Sequence, residues 1–67
     1  MNITELKVAM VRRGIKTHEL AKALNLCDST MYQKLRGKRD FTISEIRSIS
    51  NYLDLSVDDR ERIFFSD

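Results

Sequence analysis

Between residues 17 and 36 the chain reads THELAKAL, then NLC, then DSTMYQKLR, and few folds accommodate that run. Leu20, Ala21 and Leu24 recur at three and four residues, which is one stripe of an amphipathic helix. Leu26, Met31 and Leu35 do the same for a second helix. Only Asn25, Leu26 and Cys27 are left to turn the chain. Two short helices joined so tightly must cross steeply, with the small Ala21 where their backbones come closest. That geometry is a helix-turn-helix, whose second helix is shaped to enter a DNA major groove.

The rest of the sequence sets bounds on the partner. At 67 residues the chain supports one domain, residues 1–67. A chain of this size buries only about 60% of its unfolded surface, so a partner subunit would help. With 42% hydrophobic and 33% charged residues, the composition is that of a folded domain and not of a disordered segment. No apolar run approaches the roughly 18 residues of a membrane span, and no signal-peptide pattern is present. A single cysteine, Cys27, leaves no internal disulfide and fits a reducing cytoplasm. One cysteine and one histidine also argue against a metal site, and nothing points to a cofactor.

Charge is distributed unevenly. Residues 1–39 carry nine basic side chains and three acidic ones, a balance of +6, whereas residues 40–67 carry three basic against seven acidic, or −4. Such polarity can turn a positive face to a polyanion and an acidic face away from it.

Five helices and no strand account for nearly all residues. The first is expected over 3–13, with Leu6, Ala9 and Met10 on one face and Gly14 as its left-handed terminator. The second covers about 17–24, with Asn25 in the left-handed position after it. The third runs 28–36 and Gly37 ends it. Thr42 and Glu45 form a capping box for a fourth helix reaching about residue 53, with Ile43, Ile46, Ile49 and Leu53 inward. Ser56 is a weaker cap for a short fifth helix through Ile63 and Phe64. Asp58 and Asp59 suit its positive end.

With five helices in this order and a helix-turn-helix at positions two and three, the chain resembles the Cro/repressor (Xre-like) DNA-binding family over about residues 6–55. It looks especially like small phage and prophage members, through the run KLRGKRDFTISEI and a short tail with adjacent phenylalanines. The resemblance implies an all-α, compact five-helix lambda-repressor-like domain acting in the cytoplasm of a bacterial cell or phage-infected bacterium. It places Asp28, Ser29, Tyr32 and Gln33 at base edges, on the face of the third helix opposite Met31 and Leu35. Gln33 is the best single reader, because its amide can bond adenine N6 and N7 together. Asp28 either accepts from a cytosine N4 or caps the helix, and capping weighs more. Phosphates would be held by Lys16, Thr17 and His18 near the start of the second helix, and by Arg36, Lys38 and Arg39 after the third. Taken alone, His18 reads as a plain surface residue. Thr30 points to DNA or bonds within its own turn.

Three positions depart from the family pattern. An arginine–glutamate pair common between the first and third helices is Met10 and Leu35 here, an apolar exchange that a fold tolerates. Lys34 stands at a usually apolar position, where its stem would lie on the core and its ammonium reach outward to another phosphate. Lys16 replaces the usual hydroxyl cap, leaving Thr17 as the expected cap.

The resemblance implies a homodimer on a pseudo-palindromic operator. Adjacent Ile63, Phe64 and Phe65, in the last helix and tail (about 57–67), cannot all enter one small core and are the candidate dimer contact. The rival reading is a protein-binding adaptor, antirepressor-like or antitoxin-like, that holds another regulator. Catalysis is not expected: His18 and Cys27 lie nine residues apart, on opposite sides of the second helix, and no phosphate-cradling glycine loop occurs. A chain of this length also leaves no room for a ligand-sensing domain, which favours a Cro-like switch.

Overall fold

The computed structural model describes residues 1–65. Five helices follow one another: α1 (Ile3–Arg12), α2 (Thr17–Ala23), α3 (Asp28–Leu35), α4 (Ile43–Tyr52) and α5 (Val57–Arg60). A π-helical turn, Glu61–Phe65, continues α5, and no strand forms among the described residues.

Four of these helices end in the same way. Gly14, Asn25, Gly37 and Asp54 follow α1 to α4 at φ of 67°, 59°, 78° and 51°. After each, the next residue's N–H reaches five residues back: Ile15 to Met10, Leu26 to Ala21, Lys38 to Gln33 and Leu55 to Ser50, all at 2.9 Å. The left-handed residue itself donates to the carbonyl three before it. This is the Schellman arrangement, which satisfies the orphan carbonyls and reverses the chain at once. Ile15, Leu26 and Leu55 then tuck their side chains against the core. Asp54 is the one terminator that composition does not advertise, since aspartate takes this conformation less readily than glycine.

Helix starts are capped with equal economy. Asn2 Oδ1 accepts from the Glu5 N–H at 3.1 Å. Thr42 and Glu45 form the full reciprocal box, at 3.1 and 2.8 Å. Ser56 Oγ accepts from Asp59 N–H at 3.1 Å. The start of the chain is also stitched to its end, because Asn2 N–H donates to the Ile63 carbonyl at 2.6 Å.

The core gathers one stripe from each helix: Leu6 and Met10, Leu20 and Ala21, Met31 and Leu35, Ile49 and Leu53. Ala21 is 1% exposed, consistent with a close α2–α3 approach that a larger side chain would obstruct. Met10 and Leu35 are both buried, so apolar packing occupies the positions where relatives often carry an ion pair.

Three expectations are corrected. Ile43 is 69% exposed instead of inward; it opens α4, and Phe41, just before the helix, fills the core in its place. Ile63 and Phe64 are buried and so are not free to form a dimer contact; only Phe65 remains exposed, at 63%. Two consecutive side chains of this π-helical turn face inward, as Leu20 and Ala21 do in α2, which leaves Phe65 alone of the three outside. Ser66 and Asp67, part of the expected tail contact, lie outside the described residues.

The third correction concerns Lys34. Its ammonium does not reach outward. It donates to Glu45 Oε1 at 2.6 Å and to the Asp40 carbonyl at 3.1 Å, and lies 5.6 Å from the centre of the Phe41 ring. Only 5% of the residue is exposed. The same Glu45 oxygen accepts from the Thr42 N–H, so one carboxylate both caps α4 and neutralises a buried lysine. Burial by itself would raise the Glu45 pKa. The hydrogen bond from Lys34, the Thr42 N–H and the lysine charge overcome it and hold the carboxyl below its ordinary 4.5.

A depressed folded pKa means that the Glu45 contribution is complete above pH 4.5 and is lost as pH falls through the folded value. Urea unfolding from pH 7 to pH 3 should show a steeper loss for the wild type than for Glu45→Gln; equal slopes would remove Glu45 from the acid limb. At pH 7, Lys34→Met should cost about 3 kcal/mol, because it strands a buried carboxylate. The double change Lys34→Met with Glu45→Leu should recover much of that loss.

Candidate nucleic-acid interface

α3 divides cleanly into two faces. Met31, Lys34 and Leu35 are buried, while Asp28, Ser29, Tyr32 and Gln33 are exposed. The four residues expected at base edges thus share the solvent side of one short helix. Tyr32 is half exposed and joins Lys7, Met10, Val11, Ile15, Lys16, Thr17 and His18 around a groove of ≈ 540 Å³. This groove brings Tyr32, one of the candidate base readers, beside the candidate phosphate residues at the start of α2.

On the other side of α3, Arg36, Lys38 and Arg39 are exposed. Lys38 occupies the turn position that Ile15, Leu26 and Leu55 hold after the other helices. Those three are apolar and half buried, whereas Lys38 is charged and exposed. Its N–H bonds the Gln33 carbonyl at 2.9 Å, so this lysine is anchored to the backbone of the best candidate base reader. Lys34 is absent from this surface because its ammonium is engaged by Glu45 and Asp40.

The helix starts differ from expectation. Lys16, in extended conformation, is the N-cap of α2, and Thr17 is its first helical residue. Lysine has no side-chain acceptor for that place, so only the reverse half of a capping box forms: Glu19 Oε1 accepts from the Lys16 N–H at 3.2 Å. Cys27, and not Asp28, is the N-cap of α3. Its Sγ lies 3.1 Å from Thr30 Oγ1 and 3.4 Å from Ser29 Oγ. The Ser29 hydroxyl first, then the Thr30 hydroxyl and N–H, lower the thiol pKa from 9.0 to about 7. Thr30 therefore bonds within its own turn, to the Cys27 thiol.

Asp28 is released from capping and engages His18 instead. His18 Nδ1 lies 3.1 Å from Oδ1 and 3.3 Å from Oδ2 of Asp28, joining the start of α2 to the start of α3. His18 is thus paired and is not a plain surface residue. His18 and Cys27 also line one cleft with Lys22 and Asp28, instead of standing on opposite sides of α2. The turn between the helices carries the start of α3 back beside the start of α2, a neighbourhood that spacing along one helix does not reveal.

Among the described residues, no three His, Cys, Asp or Glu side chains gather as a metal ion would need, and no helix is long and apolar enough to cross a membrane. Residues 5–59, well over half of the chain, match the family described as Cro/C1-type HTH DNA-binding domain. Comparisons with curated proteins and with solved structures return no match.

The hydroxyl cage predicts a reactive thiol. Alkylation of Cys27 by iodoacetamide should rise with a midpoint near pH 7 in the folded protein, because the thiolate is the nucleophile. Replacing both Ser29 and Thr30 by alanine should move that midpoint up toward the ordinary 9.0; an unmoved midpoint would mean the hydroxyls do not stabilise the thiolate.

Proposed function

Because this chain belongs to the Cro/C1-type helix-turn-helix DNA-binding family, we propose that it is a sequence-specific transcription regulator of the Cro kind, of phage or prophage type, which occupies a double-stranded operator as a homodimer. The observation that carries this reading is the exposed face of α3, with Ser29, Tyr32 and Gln33 in one row and basic residues at both ends. Gln33 bonds an adenine edge, Ser29 donates or accepts, and Tyr32 packs on a thymine methyl or bonds a phosphate. Lys16, Thr17 and His18 hold the backbone on one side, and Arg36, Lys38 and Arg39 on the other.

One domain makes too few contacts for tight specific binding, which supports a two-fold dimer with half-sites about one helical turn apart. Phe65, the exposed member of the last turn, is the proposed contact. Its ring is the one large apolar group of that turn left uncovered, and a second copy would cover it. Such a regulator works in the cytoplasm, at the nucleoid.

Fluorescence anisotropy on duplexes flanking the gene, titrated with salt, tests the reading. Preferential binding with a steep salt slope is expected; weak, sequence-blind binding would favour the adaptor. Gln33→Ala should cost about 1–3 kcal/mol at one base pair and relax specificity there. Lys38→Ala should weaken all duplexes alike and reduce the salt slope by about one. In sedimentation, Phe65→Asp should shift the protein toward monomer; an unchanged profile would place the dimer contact elsewhere.

A further inference from the structure

His18 and Asp28 form a side-chain link between the starts of α2 and α3, and it lies on the surface proposed to face DNA. The imidazole is three-quarters exposed and the carboxylate about half exposed, so the pair contributes little to holding the fold. A carboxylate is also an unfavourable neighbour for a phosphate, which makes its place at the head of α3 in need of a reason. The charged groups around the imidazole supply one. Lys7 of α1 and Lys16 line the groove on one side of His18. Lys22 of α2, with Cys27 and Asp28 at the head of α3, lines the cleft on the other. Tyr32 of α3 completes the first groove.

We propose that Asp28 is a positioning residue for His18, and that His18 contacts a DNA phosphate only as the doubly protonated imidazolium, so that DNA binding takes up a proton. The proposal rests on the DNA-binding reading above. Its chemistry follows from the observed contact. A neutral imidazole whose Nδ1–H is donated to Asp28 leaves Nε2 unprotonated, an acceptor that repels a phosphate oxygen. Adding one proton from solvent makes Nε2 a donor, while Nδ1 keeps its bond to the carboxylate. The imidazolium then donates to two anions at once, from Nδ1 to Asp28 and from Nε2 to the phosphate. Asp28 is thereby assigned to holding the ring and not to reading a base.

Linkage fixes the sign. A group that binds a proton more tightly in the complex makes affinity rise as pH falls through the range in which an imidazole titrates. The probe is a short fluorescein-labelled duplex of mixed sequence at low salt, because a phosphate contact requires no operator. Wild-type affinity should increase by roughly fivefold to tenfold from pH 8 to pH 6. His18→Gln, an exposed change, should abolish most of that increase, and Asp28→Asn should reduce it. Cys27→Ser should preserve it, which separates His18 from the neighbouring thiol. In nitrogen-15 spectra at pH 7, adding the duplex should move the His18 ring nitrogens toward the doubly protonated form.

A wild-type pH dependence retained in full by His18→Gln overturns the inference while leaving the DNA reading intact. Ring nitrogens unchanged by a duplex that does bind overturn it in the same way. If no duplex binds with salt-dependent affinity at any pH, the DNA reading itself fails, and the inference with it.

Discussion

A lysine buried between α3 and α4 ties the binding surface to the rest of the domain. Lys34 projects from the inner face of the helix that carries Ser29, Tyr32 and Gln33, and its ammonium is held by Glu45 of α4. It also bonds the carbonyl of Asp40, which closes the basic loop after α3. One cation therefore fixes a helix, a loop and the cap of the next helix. Burying a charge in so small a domain is costly unless it is fully paired. Here the carboxylate, the carbonyl and the face of Phe41 together complete the pairing. The orientation of the exposed residues of this eight-residue helix follows from this inner attachment together with buried Met31 and Leu35.

The second constraint is the repeated turn. A domain of this size must reverse its chain several times without long loops, and α1 to α4 do so with one device. In three of the four turns an apolar residue closes the reversal against the core. After α3 the device is unchanged in its backbone, but the closing residue is Lys38. A structural motif thereby ties the backbone of a lysine to the Gln33 carbonyl, with only a short turn between them. Preorganisation of this kind lowers the entropic cost of association.

Electrostatics then refine the surface. Lys16, Arg36, Lys38 and Arg39 are exposed before and after the helix-turn-helix, whereas Arg12 and Arg13 lie toward Asp54 and Asp59. Most of the acidic residues of the remainder belong to α4, α5 and the final turn. Asp28 and Glu45 are exceptions in opposite senses. Glu45 is drawn inward and neutralised by Lys34. Asp28 stays on the surface and pairs with His18 at the head of α3. Cys27, a thiol in a place usually given to serine or threonine, makes no side-chain cap and instead meets the two hydroxyls that follow it.

Local chemistry determined much of this protein from its sequence. The helix periods, the terminators Gly14, Asn25 and Gly37, the box of Thr42 and Glu45, and the outward row on α3 all depend on residues within five positions of one another, so spacing suffices to find them. Long-range packing decided the rest. Whether Lys34 points in or out depends on Glu45, eleven residues away. His18 meets Asp28 only because the start of α3 lies beside the start of α2, ten residues away in sequence, and Ile63 and Phe64 both turn inward where the last turn packs on the core. Exposed Ile43 and buried Phe41 likewise reflect where the fourth helix begins relative to that core. Spacing along a chain fixes which side chains share a face. It does not say which other face arrives opposite them, and in a domain of 67 residues that arrival decides the partner of nearly every charged group near the core.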